Sequence, residues 1–423
     1  MIFLISWYLI VTVKKQTSRV LRQNNAKLVL SFLRRSGPTS IPTISSKTKL
    51  SNNTIAMIIQ QYLSTGIVVH SGKAESSRNA GKRPNLYVFN PRSRFAIGVN
   101  VSEFSIDGVI TDLQAEILKE ISVPISDDIK TEEILKEISA IADSLLKNIG
   151  VERERLVGVA IGTHGITDFR NGVVVMSPRN PAWNRNFHLK EQIQNSFHPG
   201  VPIYVDNQIR FQAIAEKKHG LGKKTKNMIV LRCTDGIIAG VFSENSLRRG
   251  GKHFLIGHIG HMIVDPNSQE ICKCGSRGCL DSLISTRRVI RDAKRRYNEH
   301  PDSMIFKGKT TDLVTIEDIF KASNNGDLLS QELLDEVIQW LSIGIHNLIL
   351  TYDPDLIVIQ GSFASAGSYF IEKLRRKVNR VSLFEIRIES EIEYSLLGKR
   401  AGTIGAATFV INEFFKSYHL CNT

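Results

Sequence analysis

Acidic residues are almost absent from the first 94 positions of this 423-residue chain, where Glu75 is the single carboxylate beside fifteen lysines and arginines. Since the whole chain has 55 basic and 41 acidic residues, the remaining part contains 40 of each and is neutral. A neutral body joined to a basic N-terminal segment is the charge distribution expected of a protein that binds a polyanion such as DNA. An inert basic surface is the alternative that charge alone leaves open.

The apolar run at the start of the chain is too short to span a membrane. The run covers residues 1–13, MIFLISWYLIVTV, whereas a membrane helix needs roughly 20 residues. They also lack the basic segment and small-residue cleavage site of a signal peptide. We therefore expect no membrane partner and a cytoplasmic protein, and we interpret residues 1–15 as an N-terminal extension. A start codon assigned too far upstream is the reading we favour, and a weak contact with a membrane or a partner is the alternative.

Residues 16–90 have the pattern of a winged helix-turn-helix domain. Apolar residues at helical spacing from Val20 to Leu33 predict a first helix that stops at Gly37. Ser40 is expected to cap a short second helix, and Ser51 is expected to cap a third, SNNTIAMIIQQYLSTG. The segments IVVHSG and LYVF then predict a β-hairpin, the wing.

The third helix has polar and small side chains at its N-terminal end, from which a recognition helix reads base edges in the major groove. Asparagine can pair with adenine through two hydrogen bonds, and methionine can touch the methyl group of thymine. The turn GKRP could place Arg83 in a narrow minor groove, whereas a solvated basic loop is the alternative. The predicted DNA contacts are Ser51, Asn52, Asn53, Thr54, Met57, Lys82 and Arg83.

The head contains the segments VLRQNNAKLVLSFLRRSGPTS, LSNNTIAMIIQQYLSTGIV and GKRP, and strand-like and helical runs alternate through residues 95–423, as in an α/β fold. These features resemble the ROK (repressor, ORF, kinase) family of transcriptional regulators of the NagC, Mlc and xylose-repressor type. The resemblance implies an N-terminal winged helix-turn-helix followed by an actin/hexokinase-like, two-lobed α/β body. It also implies a homodimer or tetramer on a double-stranded DNA operator.

The segment HIGHMIVDPNSQEICKCGSRGCLDS has the composition of a metal site. Three thiolates and an imidazole suit a tetrahedral Zn²⁺ ion, and four protein ligands leave no open position, so the zinc is expected to be structural, one per chain. Three free buried thiols are the alternative. The predicted ligands are His261, Cys272, Cys274 and Cys279 in a zinc loop over residues 257–281. The segment matches the zinc signature of the ROK family, which implies a loop beside the sugar cleft.

The resemblance also marks the positions that a sugar kinase would use, and several of them are changed. The general base of the family is the Asp of an N-D-A-N segment, but Gln208 stands at that position and cannot usefully accept a proton. Asp206 could replace the base only after a shift of register. The phosphate-binding turns are also changed. Residues 98–102, 234–238 and 360–361 lack glycine or aspartate residues that the kinases have at these positions. We therefore expect no kinase activity.

Sugar binding is a separate prediction, because amide, imidazole and carboxylate side chains can hydrogen-bond hydroxyl groups without catalysing transfer. The candidate ligand positions are Gly165, Asn180, Asn207, Gln208, His258 and Asp281, with His258 and Asp281 standing where the kinases have Glu. We expect a repressor of carbohydrate genes that senses a sugar or a sugar phosphate. The alternatives are an active kinase with an accessory DNA-binding head and a regulator controlled by a protein partner.

Overall fold

The computed structural model describes residues 18–74, 83–126, 129–177, 183, 185–197, 200–380, 382–383, 386–387 and 390–418. Of the predicted features, the extension 1–15, Lys82 and Asn180 therefore lie outside the described residues. The chain divides into two compact units. The first takes residues up to 94, 112–114 and those from 413 onward, and the second takes residues 95–111 and 115–412.

The first unit is a winged helix-turn-helix. Its elements are α1 (Ser18–Leu33), β1 (Thr39–Ser40), α2 (Ile41–Thr48), α3 (Asn52–Ser64), β2 (Val68–Lys73) and β3 (Asn85–Phe89). The predicted caps are present: Ser40 Oγ accepts the Thr43 amide at 3.4 Å and Ser51 Oγ accepts the Thr54 amide at 3.1 Å. The strands form an antiparallel sheet in the order β1-β3-β2. The short strand β1, which is paired with β3 through Thr39 and Tyr87, has no signal in the sequence.

The C-terminal end of the chain contributes to the core of this unit. Helix α12 (Ala401–Ser417) enters the first unit at Glu413. The ring of Tyr418 stacks on that of Tyr62 with 6.2 Å between centroids, and Lys27 Nζ donates to the Lys416 carbonyl at 2.8 Å. The domain boundaries predicted from the sequence, 16–90 and 95–423, assign the C-terminal end of the chain to the body alone. No local sequence pattern indicates that it packs against the head.

The second unit begins with a five-stranded sheet in the order β10-β7-β4-β5-β6. The strands are β4 (Phe95–Val101), β5 (Ser105–Asp112), β6 (Ile117–Pro124), β7 (Leu156–Thr163) and β10 (Ile203–Asn207), and β8 (Ile166–Asp168) pairs with β9 (Val173–Met176). The helices of this part are α4 (Thr131–Asn148), α5 (Leu189–Gln194) and α6 (Gln208–Lys218). Strand β7 lies parallel to both β4 and β10, so that the polar C-terminal ends of these strands lie together.

A second five-stranded sheet repeats this arrangement in the order β13-β12-β11-β14-β17. The strands are β11 (Met228–Cys233), β12 (Ile237–Ser243), β13 (Ser246–Arg248), β14 (Leu356–Gln360) and β17 (Glu391–Tyr394), and β15 (Ser382–Leu383) pairs with β16 (Ile386–Arg387). The helices are α7 (Leu280–Ile284), α8 (Thr286–Arg295), α9 (Ile316–Asn324), α10 (Leu328–Tyr352), α11 (Gly367–Val378) and α12. In each sheet the first of its strands along the chain lies in the middle, with the second and third on one side and the fourth and fifth on the other. This duplication confirms the expected two-lobed α/β body.

Helix α10 is the one helix of the described residues that is long and apolar enough, by length and composition alone, to cross a membrane. However, 56% of the apolar 18-residue stretch of this helix is buried inside the protein. Leu333, Leu334, Leu341 and Ile345 of this helix are almost fully enclosed in the core of the second sheet. Such burial is typical of the central helix of a folded domain.

Candidate functional sites

Helix α3 exposes the residue types predicted to read DNA. Ile55, Ile58 and Ile59 face the core of the first unit, and this packing leaves Asn52, Asn53 and Ala56 exposed. Met57 is 63% exposed, although a methionine normally gains by burial. The structure thus places the predicted contacts Ser51, Asn52, Asn53, Thr54 and Met57 at one helix end. Arg83 is exposed just before β3.

Four potential metal ligands converge in the second unit. The ligand atoms of His261, Cys272, Cys274 and Cys279 all lie within 4.8 Å of one another. Cys274 Sγ and Cys279 Sγ are 3.6 Å apart, and Cys272 Sγ lies 3.6 Å from His261 Nδ1. A tetrahedral ion with metal–sulfur bonds of about 2.3 Å requires sulfur atoms separated by about 3.8 Å. The donor set therefore fits a tetrahedral metal ion.

The loop that carries these ligands can turn only because of its glycines. Gly278 has φ +68°, and a Cβ built on it would lie 1.7 Å from the Asp265 carbonyl oxygen, so no other residue fits there. The Cys272 amide donates to the Ser276 carbonyl at 2.8 Å and closes the turn around Cys274. Burial raises the pKa of Cys279 to about 12, helped by the neighbouring thiols Cys274 and Cys272. A bound cation would reverse this effect and release protons from the cluster.

The carboxylate of Asp206 is held by two guanidinium groups. Asp206, at the end of β10, lies 2.5 Å from Arg210 Nη1 on α6 and 3.4 Å from Arg249 Nε, which follows β13 of the other sheet. Its Oδ1 also accepts the Asn207 amide at 2.8 Å. The planar side chain of Arg249 in turn packs against the ring of Phe169, with 4.8 Å to the centroid. Sequence reasoning missed Arg249, because nothing near it in the chain indicates a partner on the opposite sheet.

Two of the candidate sugar-binding positions are in contact with each other. Asn207 Nδ2 donates to the Gly165 carbonyl at 2.5 Å, and Asn207 Oδ1 accepts the Ile209 amide at 3.0 Å as the cap of α6. Gly165 has φ +87°, and a Cβ on it would meet the Met176 carbonyl oxygen at 2.1 Å. The amide of Asn207 therefore also has a structural role, which the sequence did not indicate. Gln208 lies beside it, 2% exposed.

Burial favours the neutral form of two histidines, His258 and His164. Burial, the Arg210 charge and His261 lower the pKa of His258 to about 4. Burial and the Arg232 charge lower the pKa of His164 to about 3, and neither of its ring nitrogens has a hydrogen-bond partner among the described residues. Since a neutral imidazole offers one donor and one acceptor and has no positive charge, both histidines are suited to hydroxyl groups rather than to an anionic group.

Asp281 and Asp235 fix the turn between β11 and β12. Asp281 Oδ1 accepts the Ile237 amide at 2.6 Å. Asp235 Oδ1 accepts both the Thr286 hydroxyl at 2.5 Å and the Arg287 amide at 3.1 Å, so that it caps α8. Asp235 Oδ2 also pairs with Arg287 Nε at 2.5 Å. A negative carboxylate thus occupies the turn that the resemblance equates with a phosphate-binding turn.

The proteins similar to this chain include both regulators and kinases. The model of the ROK family matches residues 96–413. A xylose repressor from Caldicellulosiruptor bescii is 27% identical over 93% of this chain and 97% of its own length. A xylose repressor from Bacillus subtilis is 26% identical over 92% and 95%. A glucokinase from Thermotoga maritima is 26% identical over 74% of this chain and 96% of its own.

Solved structures show the same division. A ROK family transcriptional regulator, described as a homologue of the Escherichia coli MLC protein, superposes with a TM-score of 0.79 at 21% identity. The match covers 93% of this chain and 97% of that one, so the fold is shared from head to body. A ROK family glucokinase from Streptomyces griseus, in complex with glucose and AMPPNP, superposes with a TM-score of 0.65 at 25% identity. That match covers 74% of this chain and 98% of the kinase.

Proposed function

The chain belongs to the ROK family, and on that premise we propose that it is a DNA-binding, sugar-responsive repressor of carbohydrate genes. The observation that carries the proposal is helix α3, which exposes asparagines and a methionine at the capped end of a helix in a basic head. The xylose repressors cover 92 to 93% of the chain and thus include this head, whereas the glucokinase covers 74%. A sugar kinase has no need of such a head.

Binding to DNA follows from the geometry of the head. The N-terminal end of α3 enters the major groove, where Asn52 and Asn53 meet base edges and Ser51 and Thr54 meet the backbone. The remaining predicted contacts, Lys82 and Arg83, are proposed to bind the adjacent minor groove or its phosphates. A homodimer or tetramer would present two such helices to the two halves of a palindromic operator.

We propose that the body no longer transfers phosphate. A general base must be able to accept the hydroxyl proton of the sugar, and Gln208 cannot do so. The carboxylate of Asp206 forms ion pairs with Arg210 and Arg249, which hold it in place. Asp235 would repel a phosphate placed against the backbone amides of its own turn, and its pairing with Arg287 and the α8 cap keeps it there. These contacts support a body that binds without catalysing.

The effector of the proposed repressor is a neutral sugar held in the cleft, and the candidate contacts are Gly165, Asn180, Asn207, Gln208, His258 and Asp281. The neutral His258 and the unpartnered nitrogens of His164 support a ligand with several hydroxyl groups. A ligand acts on DNA affinity only through its different affinity for the two states of the protein. The metal of the Cys3His cluster is proposed to be Zn²⁺, which would hold the loop rigid without taking part in chemistry. The protein is proposed to act in the cytoplasm.

Two measurements test this function. Genome-wide mapping of the bound sites should recover palindromic operators beside carbohydrate genes, and one sugar from a panel should release the purified protein from such an operator. A coupled ATP assay with the same sugars should show no turnover. Turnover that is abolished by Asp206→Asn would establish the kinase instead. Release of the operator only by a protein, with no sugar raising the melting temperature, would establish a regulator with a dead cleft.

A further inference from the structure

A cavity of about 740 Å³ lies beside the metal loop in the second unit, between residues 270–273 and helices α7 and α8. We propose that this cavity is a second ligand site, specific for a phosphate monoester of a small metabolite. Of the candidate sugar-binding positions, only Asp281 is among its lining residues. The cavity thus shares Asp281 with the candidate sugar-binding positions, but the proposed phosphate contacts, Arg288 and Arg291, are not among those positions.

The charge of the cavity is the first argument. The second unit is close to neutral as a whole, yet residues 286–296, TRRVIRDAKRR, contain six basic residues and one acidic residue. Six basic residues line the cavity, and four acidic residues face them, so the positive charge is in excess by two. The basic residues are Lys273, Arg287, Arg288, Arg291, Lys294 and Arg295; the acidic ones are Asp235, Glu270 and Asp281 of the lining and Asp292, which pairs with Arg288 and Arg291. A phosphate monoester carries a charge of about −1.5 to −2 at pH 7 and so matches this surplus.

The guanidinium groups are held in place before any ligand binds. Glu270 Oε1 lies 2.8 Å from Arg291 Nη2 and 3.2 Å from Arg288 Nη1. Asp292 Oδ1 lies 3.3 Å from Arg291 Nε, and Arg288 also pairs with Asp292. Arg288 Nη1 is buried and, apart from its ion pair with Glu270, has no hydrogen bond among the described residues. Since each guanidinium has five N–H donors, donors remain for phosphate oxygens, and little side-chain entropy would be lost on binding.

The size and the walls of the cavity define the rest of the ligand. A volume of about 740 Å³ lies within the usual range of sites for small organic molecules, roughly 300–1,000 Å³, and is far larger than a phosphate ion requires. Ile271 and Ile290 provide apolar contacts, and Ser282 and Ser285 provide hydroxyl groups. We therefore expect the phosphate to be attached to a body the size of a sugar ring or larger.

The test is calorimetric titration of the full-length, zinc-loaded protein with glucose 6-phosphate, ribose 5-phosphate and AMP. At least one of the three should bind, and Arg288→Gln combined with Arg291→Gln should weaken it at least tenfold. The matched control is Lys136→Gln with Lys147→Gln, which removes the same charge from exposed positions of α4 and should change the affinity less than twofold. Uncharged glucose should bind the double variant as it binds the original protein.

Two results would overturn the proposal. One is the absence of binding by all three probes at millimolar concentration. The other is an unchanged affinity in the Arg288/Arg291 variant, which would place the phosphate elsewhere, for example in the sugar cleft. If that variant does not fold, Lys273→Gln with Arg295→Gln replaces it, since both side chains lie at the exposed rim of the cavity. An affinity loss below threefold in this second variant would also contradict the site.

Discussion

The guanidinium carbon of Arg34, one residue beyond α1, lies 4.0 Å from the centre of the Phe415 ring on the C-terminal helix. The ring of Phe89, from the wing, lies 6.2 Å from that of Phe415. A partly desolvated cation over an aromatic face contributes about 0.5–2 kcal/mol. The fold of the DNA-binding unit therefore depends on residues from the far end of the sequence.

Replacing Phe415 by alanine should destabilise this unit by about 1–2 kcal/mol, because it removes a half-buried ring and its contact with Arg34. Amide hydrogen exchange in α1 and α3 should accelerate accordingly, by roughly five- to thirtyfold. Leu396→Ala is the control, since Leu396 is 82% exposed. Unchanged exchange in the Phe415 variant would show that the C-terminal residues do not stabilise the head.

Asn53 is expected to read a base. Asn53→Ala should weaken binding to the preferred operator by about 1–3 kcal/mol and relax the choice of base at one position. Selection of binding sites from a random DNA pool measures this change. Gln60→Ala, an exposed substitution on the last part of the same helix, should leave the selected sequence as it was. An unaltered sequence preference in the Asn53 variant would contradict base reading by this residue.

Lys82 and Arg83 are expected to contact DNA without strong base preference. Replacing both by glutamine should weaken binding to all sequences and lower the slope of log affinity against log salt by about 1 to 2, since up to two phosphate contacts are lost. Filter binding or fluorescence anisotropy at several salt concentrations determines the slope. An identical slope in the two proteins would show that these residues stay in solvent.

Replacing two buried cysteines, Cys272 and Cys233, should affect metal binding differently. Cys272→Ala should abolish bound zinc and lower the melting temperature of the body, because one of four ligands is lost. Cys233→Ala should retain the metal, since Cys233 is buried in the core of the second sheet and is not part of the cluster. Elemental analysis of both variants decides the point. Equal zinc content in the two would refute the site.

His164 should make the stability of the body depend on pH. Burial lowers its pKa to about 3 in the folded protein, whereas an unfolded histidine titrates near 6.5. Between these values the unfolded chain binds a proton that the folded protein does not, so the stability is complete above pH 6.5 and falls as the pH decreases. His164→Gln should reduce the slope of unfolding free energy between pH 6 and 4.5 by about 1 kcal/mol per pH unit.

Denaturant unfolding at several pH values between 4.5 and 7.5 measures this slope. The control is His253→Gln, at an exposed position, which should leave the slope unchanged. If the slope of the His164 variant equals that of the original protein, another group dominates the acid sensitivity.

The sequence by itself determined the parts whose information is local. The hydroxyl groups of Ser40 and Ser51 lie three residues before the amides that they cap, and the apolar residues of α3 repeat at helical spacing, so both could be predicted. The cysteines of the metal cluster are close in sequence, and their type and spacing already indicate a tetrahedral site.

Tertiary structure alone decided which distant groups meet. Nothing near Asp206 in the chain reveals Arg249, because the two residues come from different sheets that only the duplicated fold brings together. Likewise, no sequence pattern links Arg34 to Phe415. The basic residues of α8 line a cavity only because the metal loop packs beside them. Periodicity and spacing encode which face of an element is buried, but the partner of that face is set by chain topology and packing.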